Sequence, residues 1–379
     1  MAEDELDTLI RHSVALVGPS YGRKTMKGFV HSYFGVSASE RRIGSSLKRA
    51  HPVYADARLR GLDRQIRPAR YVCDGFGQNL HVDQNEKLVH YGVVFTVAID
   101  GYSSFIPGYA VMSVKSNVII YRDMFRPIVD KYGVFRKVYA DHGREFYLTG
   151  FMQQFLTHNT RGPGAVETSF VQTKSTSNVR VERCWVEINL RIGYPLRRCF
   201  ADMERRGLAD KDNPQHLYSI SIIGQWLGRY GIGIFVPAWN SHPIEGRWIP
   251  HNYVNVNRRS APVPAGILLG DLQAADFYRH SVGGVLAPVT DAAGIDCLAG
   301  YPHLQQLRDA EFCNLIIPDL DVVVRVFFGL PVGTPVADIE RAGYVFGAVV
   351  NGNYRPVHTL VLAHIQLSAT ICARYGLHI

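Results

Sequence analysis

Three acidic residues stand out by their settings. Asp141 ends an apolar run in VYADHGREF (Val138–Phe146), Asp83 lies in LHVDQNEKL (Leu80–Leu88), and Glu182 lies in SNVRVERCWVEIN. An unpaired carboxylate in an apolar setting costs several kcal/mol unless something positive meets it. Taken alone, Asp141 reads as an N-cap for a helix starting near Arg144. Taken with the other two, it reads as part of a metal site. Clustered carboxylates cannot all stay ionised without cations, and two divalent metals about 3.5–4 Å apart solve that problem. Oxygen-only ligands favour magnesium or manganese. Such a site activates a water or a 3′-hydroxyl for in-line attack on phosphorus.

Those side chains need elements to bring them together. Residues 79–114 suggest three strands, the first holding Asp83. Ser116–Lys131 has helical spacing, Arg136–Ala140 suggests a fourth strand, and Phe146–His158 suggests a helix. The loop NTRGPGA (159–165) precedes a strand over Val166–Thr173 and a helix over Asn178–Ile192. The order βββαβαβα predicts an α/β domain with a mixed sheet. In such a sheet the first and fourth strands can be neighbours, bringing Asp83 to Asp141, while a helix packed beside them delivers Glu182. More helix is expected around Tyr218–Tyr230, followed by PAWNSHP (237–243). Residues 251–379 carry short apolar runs (Asp321–Phe328, Tyr344–Val350, Val357–Ile365) with many Gly and Pro, which suggests a small β-rich or α+β region of unknown role.

The chain has 379 residues and a net charge of +8. The charge is uneven: residues 11–70 hold 13 Lys and Arg against 3 Asp and Glu, a net of +10, whereas residues 250–379 carry a net of −2. A basic block on a folding chain suggests a polyanion, most simply nucleic acid, as partner. Within it, a helix near Arg23–Tyr33 broken by Gly35 precedes a capping box at Ser37–Glu40 and a second helix carrying Arg41, Arg42, Lys48 and Arg49. This is a helix-turn-helix pattern. Residues 55–72 add five more arginines, as a basic linker. No apolar run approaches the roughly 20 residues that span a bilayer. The acidic MAEDELDTLI start lacks a secretory h-region. Six scattered cysteines form no C-x-x-C pair, so a reducing compartment is expected.

The motifs together resemble the catalytic core of the integrase/transposase superfamily, and more narrowly the integrase core-domain proteins of eukaryotic mobile elements. LHVDQNEKL followed by VAIDGYSSF resembles the family's first Asp strand and its turn. VYADHGREF resembles its second Asp strand, TSNVRVERCW its N-x-R-I-E-R-x-W helix, and AWNSHPI its closing W-N-x-H segment. The basic helix pair resembles the family's DNA-binding N-terminus. The resemblance covers roughly residues 20–245. It implies a ribonuclease H-like mixed sheet with flanking helices, preceded by a helix-turn-helix-like region (1–70), spanning 71–250 and followed by the C-terminal region (251–379). It also implies that Asp83, Asp141 and Glu182 are catalytic and hold two Mg²⁺ or Mn²⁺ ions. Double-stranded DNA is then the partner, a homo-oligomer forms on DNA, no membrane is involved, and the location is the nucleus.

Other residues are assigned humbler roles. Asp100 starts a turn with Tyr102 and Ser103 and is structural. Glu187 lies about 140° around the helix from Glu182 and faces elsewhere. His81 shares Asp83's strand face and reads first as a satisfied core histidine. His142 reads as loop, and Trp185 and Trp239 as packing. The family's basic residue one turn after the catalytic Glu is here Val186, and Lys174, Arg180 and Arg183 are the candidates to substitute for it in contacting DNA. Besides integration, two readings stay open: a domesticated, catalytically inactive DNA-binding protein, and a nuclease that hydrolyses without joining.

Overall fold

The structure is a computed structural model, which describes residues 1–51, 71–173, 179–244, 248–287, 289–313 and 338–377. The basic linker's arginines, Lys174 and the run Asp321–Phe328 lie outside the described residues.

Five strands form one sheet in the order β3-β2-β1-β4-β5: β1 Asn79–Leu88, β2 Val93–Asp100, β3 Gly108–Met112, β4 Lys137–Ala140 and β5 Phe170–Gln172. The first three are antiparallel neighbours, and β4 and β5 run parallel to β1. This is the mixed sheet expected, with the fourth strand beside the first. Alternation along β2 explains why the sheet is central. Val93, Phe95, Val97 and Ile99 enter one apolar core and Val94 and Ala98 the other, so β2 is buried on both faces.

On one face lie α4 (117–132, with a π-helical stretch at Ile120–Phe125), α5 Tyr147–Arg161 and α9 Asp271–Val282. On the other lie α6 Val179–Ile188, α7 Tyr194–Arg205 and the 28-residue α8 Pro214–Ser241. Asn213 caps α8, its side chain accepting from the amides of Gln215 and His216. The helix runs past the expected end and through Pro237. Its W-N pair bolts the β2–β3 turn: Trp239 Nε1 donates to Ser104 O (2.9 Å), and Asn240 exchanges two hydrogen bonds with the Ile106 backbone (2.8 and 3.0 Å).

The N-terminal region forms α1 Glu3–Val17, α2 Arg23–Phe34 and α3 Glu40–Ala50. Gly35 ends α2 in the left-handed conformation (φ 67°). The cap of α3 is Ser39, not the expected Ser37, because Ser39 Oγ accepts from Arg42 N while Ser37 turns to His31. Helix α2 packs along α8 so closely that a Cβ at Gly28 would lie 2.3 Å from Ala238 O.

The C-terminal region corrects the sequence reading. Its described elements are helices: α9, α10 Pro302–Cys313, α11 Asp338–Val350 and α12 Arg355–Arg374. Tyr344–Val350 and Val357–Ile365 are helical, since their buried positions fall on one face of α11 and α12 against the α8 core. By length and composition α12 could cross a bilayer, contrary to expectation. However, Val357, Leu360 and Val361 are buried in the protein's own core, and His358 and His364 bond there to Cys199 O and Ser219. Helix α11 also closes on α1. Asn351 Nδ2 donates to Val14 O and Ala15 O (3.3 and 3.1 Å), and a Cβ at Gly347 would lie 2.4 Å from Ala15 O.

Candidate active site

The alternation of β1 builds the site. Leu80 and Val82 point into the α4–α5 core, so Asn79, His81, Asp83 and Asn85 point the other way, toward α6 and α7. All four are buried, between 4% and 7% exposed, and a buried polar stripe must be bonded. Asn79 and His81 meet Tyr71 Oη (3.0 and 2.8 Å), and His81 stacks on Tyr139. Asn85 donates to Asn189 Oδ1 (2.8 Å). Asp83 Oδ2 accepts from Trp185 Nε1 at 2.8 Å.

The register then sets Asp141. Every pair between β1 and β4 joins residues 58 apart, from Asn79–Lys137 to His81–Tyr139. Asp83 and Asp141 are also 58 apart, so the same register, carried two residues past its last pair, leads from Asp83 to Asp141 just beyond the carboxyl end of β4. Asp141 does not continue the ladder. Its Oδ1 accepts from Gly143 N (3.0 Å), which turns the chain away from the sheet. Glu182 is exposed in the first turn of α6, and Trp185 is one turn further along the same helix. The Trp185–Asp83 bond therefore ties α6 to β1 and holds the Glu182 end of the helix over the Asp83 strand.

Electrostatics report the same proximity. Burial raises the Asp83 carboxyl to about 6, opposed by the Trp185 bond and reinforced by the negative charges of Glu182 and Asp141. Among the described residues no Lys or Arg forms an ion pair with Asp83, Asp141 or Glu182. This set of oxygen-only donors, one desolvated and two reachable from solvent, fits a hard divalent ion in chemistry and charge. The three are within electrostatic reach without forming a closed cage: no group of three His, Cys, Asp or Glu among the described residues is gathered tightly enough to hold an ion.

The remaining residues fall as follows. Arg180 lies over the Tyr71 ring at 4.4 Å, and Arg183 is exposed on α6. Val186 is 59% exposed, so the place of the expected base is apolar and open. Glu187 faces away, paired with Arg191. Asp100 is a structural clamp: its oxygens accept from Gly77 N, Tyr102 N, Ser103 N and Ser103 Oγ. His142 is exposed in the loop after β4. On α3, Arg41 and Lys48 are exposed. Arg42 is paired with Glu3 (2.6 Å), and Arg49 with Asp7 and Glu3 (2.7 and 3.1 Å), so α1 already neutralises two of the four basic residues assigned to DNA. The Arg49 bond holds Asp7 down at about 2.

Sequence reasoning treated Trp185 as packing alone and missed its bond to Asp83. The signal was its spacing, three residues after Glu182 on one helix face. It also passed over Lys115, which bridges Glu86 and Glu145 (2.6 and 3.4 Å); these three come from separate segments, and no local pattern links them.

Residues 73–250 match the family model of the integrase core domain. The chain carries an integrase core domain. The matched segment contains the whole sheet, α4 to α8 and all three carboxylates, and its fold is that of the ribonuclease H-like superfamily. Integrase core domains are in general polynucleotidyl transferases or nucleases that act on DNA and typically use divalent metals. No curated protein and no solved structure matches the chain.

Proposed function

We propose that this protein is a DNA strand-transferring enzyme in which Asp83, Asp141 and Glu182 form the active site. The observation that supports the reading is the parallel β1–β4 register, whose 58-residue offset runs on from its last pair toward Asp83 and Asp141, with the Glu182 helix tied to Asp83 through Trp185. The three carboxylates would hold two Mg²⁺ or Mn²⁺ ions, which supply Lewis acidity at the phosphorus and its attacking and leaving oxygens. The protein's own contribution is orientation. Trp185 fixes one oxygen of Asp83 and leaves the other directed by the strand. The Gly143 amide fixes one oxygen of Asp141. Burial of Asp83 removes competing water, and the exposed Glu182 completes the set from the solvent side. Arg180 and Arg183 flank Glu182 and suit contact with the DNA backbone, as do Arg41 and Lys48 on α3. Action on two DNA ends calls for a homo-oligomer, and a DNA substrate is consistent with a nuclear location.

The test is a strand-transfer assay with magnesium that also scores nicking. Asp141→Asn is expected to lower strand transfer by more than about a hundredfold, since even groups outside a metal's ligand set cost 10–100-fold. Full activity in that variant would sink the reading. The exposed Val186 favours a second reading, DNA binding without chemistry. It predicts duplex affinity that falls with salt and no magnesium-dependent cleavage by the unmodified protein.

A further inference from the structure

At the opposite end of β4 from Asp141, the protein carries a cluster of cations without carboxylate partners. Arg126, Lys131 and Arg258 line a cleft of about 490 Å³ rimmed by residues 262–266, with Asp130 as the sole acidic lining residue. Arg259 follows Arg258 in the chain, Arg161 donates to its carbonyl, and Arg136 lies within electrostatic reach of Arg161. None of these six basic residues forms an ion pair among the described residues. Their hydrogen bonds go to neutral acceptors instead. Arg126 Nε donates to Leu269 O (3.1 Å), and Arg258 donates to Tyr132 O (2.7 Å) and Ser260 Oγ (2.9 Å). Arg161 donates to Val134 O and Arg259 O (3.2 and 2.7 Å). Burial, and then the nearby Arg136 charge, push the Arg161 guanidinium below its usual range. These bonds fix the guanidinium planes without cancelling their charge.

The loop that presents Arg258 and Arg259 is itself pinned. Arg259 N donates to Phe76 O (2.7 Å), and Val134 and Ala261 exchange backbone bonds (2.7 and 2.9 Å). A Cβ at Gly133, which has φ +79°, would lie 2.4 Å from Ala261 O, and one at Gly75 would lie 1.8 Å from Asn257 O. The loop therefore sits against the sheet at distances only glycine allows. It lies beyond the segment matched by the integrase family model.

We infer that this cleft is a second phosphate-binding site, which takes the phosphodiester backbone of a nucleic acid at the end of the sheet remote from the carboxylates. Fixed guanidinium forks beside a lysine suit tetrahedral phosphate oxygens, and a pre-ordered surface loses little entropy on binding. Lys137, at the cleft end of β4, is four residues from Asp141, about 13 Å along an extended strand, so the phosphate held here is not the one held at Asp141. The inference does not require the carboxylates to be catalytic.

The test is fluorescence anisotropy of a labelled duplex with the full chain, in EDTA and across a salt series. Three forms are compared: unmodified, Arg126→Gln/Lys131→Gln/Arg258→Gln, and Asp141→Asn. The triple variant is expected to bind at least tenfold more weakly and to lose between about 2 and 3 from the slope of log K against log[salt]. Asp141→Asn removes a negative charge from the carboxylate site and should bind no more weakly than the unmodified protein in this metal-free buffer, so a loss confined to the triple variant separates this site from the active-site reading. Lys131→Gln/Arg136→Gln breaks no side-chain hydrogen bond and should show the same trend if the triple variant fails to fold. A parallel calorimetric titration uses inorganic pyrophosphate. Loss of pyrophosphate binding with duplex affinity intact would assign the cleft to a small free phosphate compound. No change in either ligand would overturn the proposal.

Discussion

Two regions of this molecule are rich in arginine, and they treat the charge in opposite ways. In the N-terminal helices the cations are matched from within: Glu3 and Asp7 on α1 hold Arg42 and Arg49 of α3, and Glu40 holds Arg23. Around the cleft beside α4, guanidinium groups are steadied by carbonyl oxygens and keep their charge. The first region dominates any charge count along the chain, and the second is scattered over residues 126–161 and 258–259. Local charge density and available charge are therefore different quantities. Helix α2 adds to the contrast, because it buries its apolar side against α8 as any structural helix would.

The largest effect that would sharpen the comparison is mechanical. If α2 is a docked element, Gly28→Val must force it off α8, given the 2.3 Å approach of a Cβ to Ala238 O. Urea unfolding should show a loss of about 3 kcal/mol, the upper range for overpacking. A change below about 0.5 kcal/mol would mean that α1–α3 sit free of the core.

The next concerns charge left unpaired by design. The folded pKa of Asp83, about 6, lies above its ordinary value of 3.8. The folded state is therefore favoured when Asp83 is protonated, fully below about pH 4, and that advantage is lost as pH rises through 6. Asp83→Asn should consequently raise metal-free stability at pH 8 by about 1–3 kcal/mol, and by nothing near pH 4. The same variant should lose magnesium binding in calorimetry. A destabilised variant at pH 8 would show that the carboxylate is supported by interactions stronger than the repulsion described above.

The smallest effect concerns the paired arginines. Arg42→Gln/Arg49→Gln should weaken duplex binding by less than about threefold, because those side chains trade one anion for another and surface pairs exchange readily. A loss of tenfold or more in the same anisotropy assay would break the comparison and return α3 to the leading role.

Much of the sheet was legible because its signals are local. Alternation in NLHVDQN, the β-rich run VVFTVAID and the apolar stretch ending at Asp141 all reflect a period of two against a buried face. The common offset of 58 residues was visible too, although only the pairing register gives it meaning. The C-terminal helices were not legible, since short runs of Val, Ile and Leu fit a buried strand or a buried helix equally well. Ser39 as the cap of α3 and the continuation of α8 through Pro237 were settled by neighbours in space, not by adjacent residues. Ion pairing of Arg42 and Arg49 joins residues about 40 positions apart, which no window on the chain can see.

The suture between α1 and α11 has a consequence for how the protein is made. The carbonyls of Val14 and Ala15 wait for Asn351, and the backbone at Ala15 waits for Gly347. At ordinary translation rates of roughly 5–20 residues per second, that partner arrives roughly 15 to 70 s after the first helix has left the ribosome. During that interval the apolar side of α1 depends on α2, α3 and any chaperone at hand. Closing α11 on α1 thus comes long after α1 itself is made, and a chain cut short before residue 347 keeps the α1–α3 packing but lacks the Gly347 and Asn351 contacts that join α1 to α11.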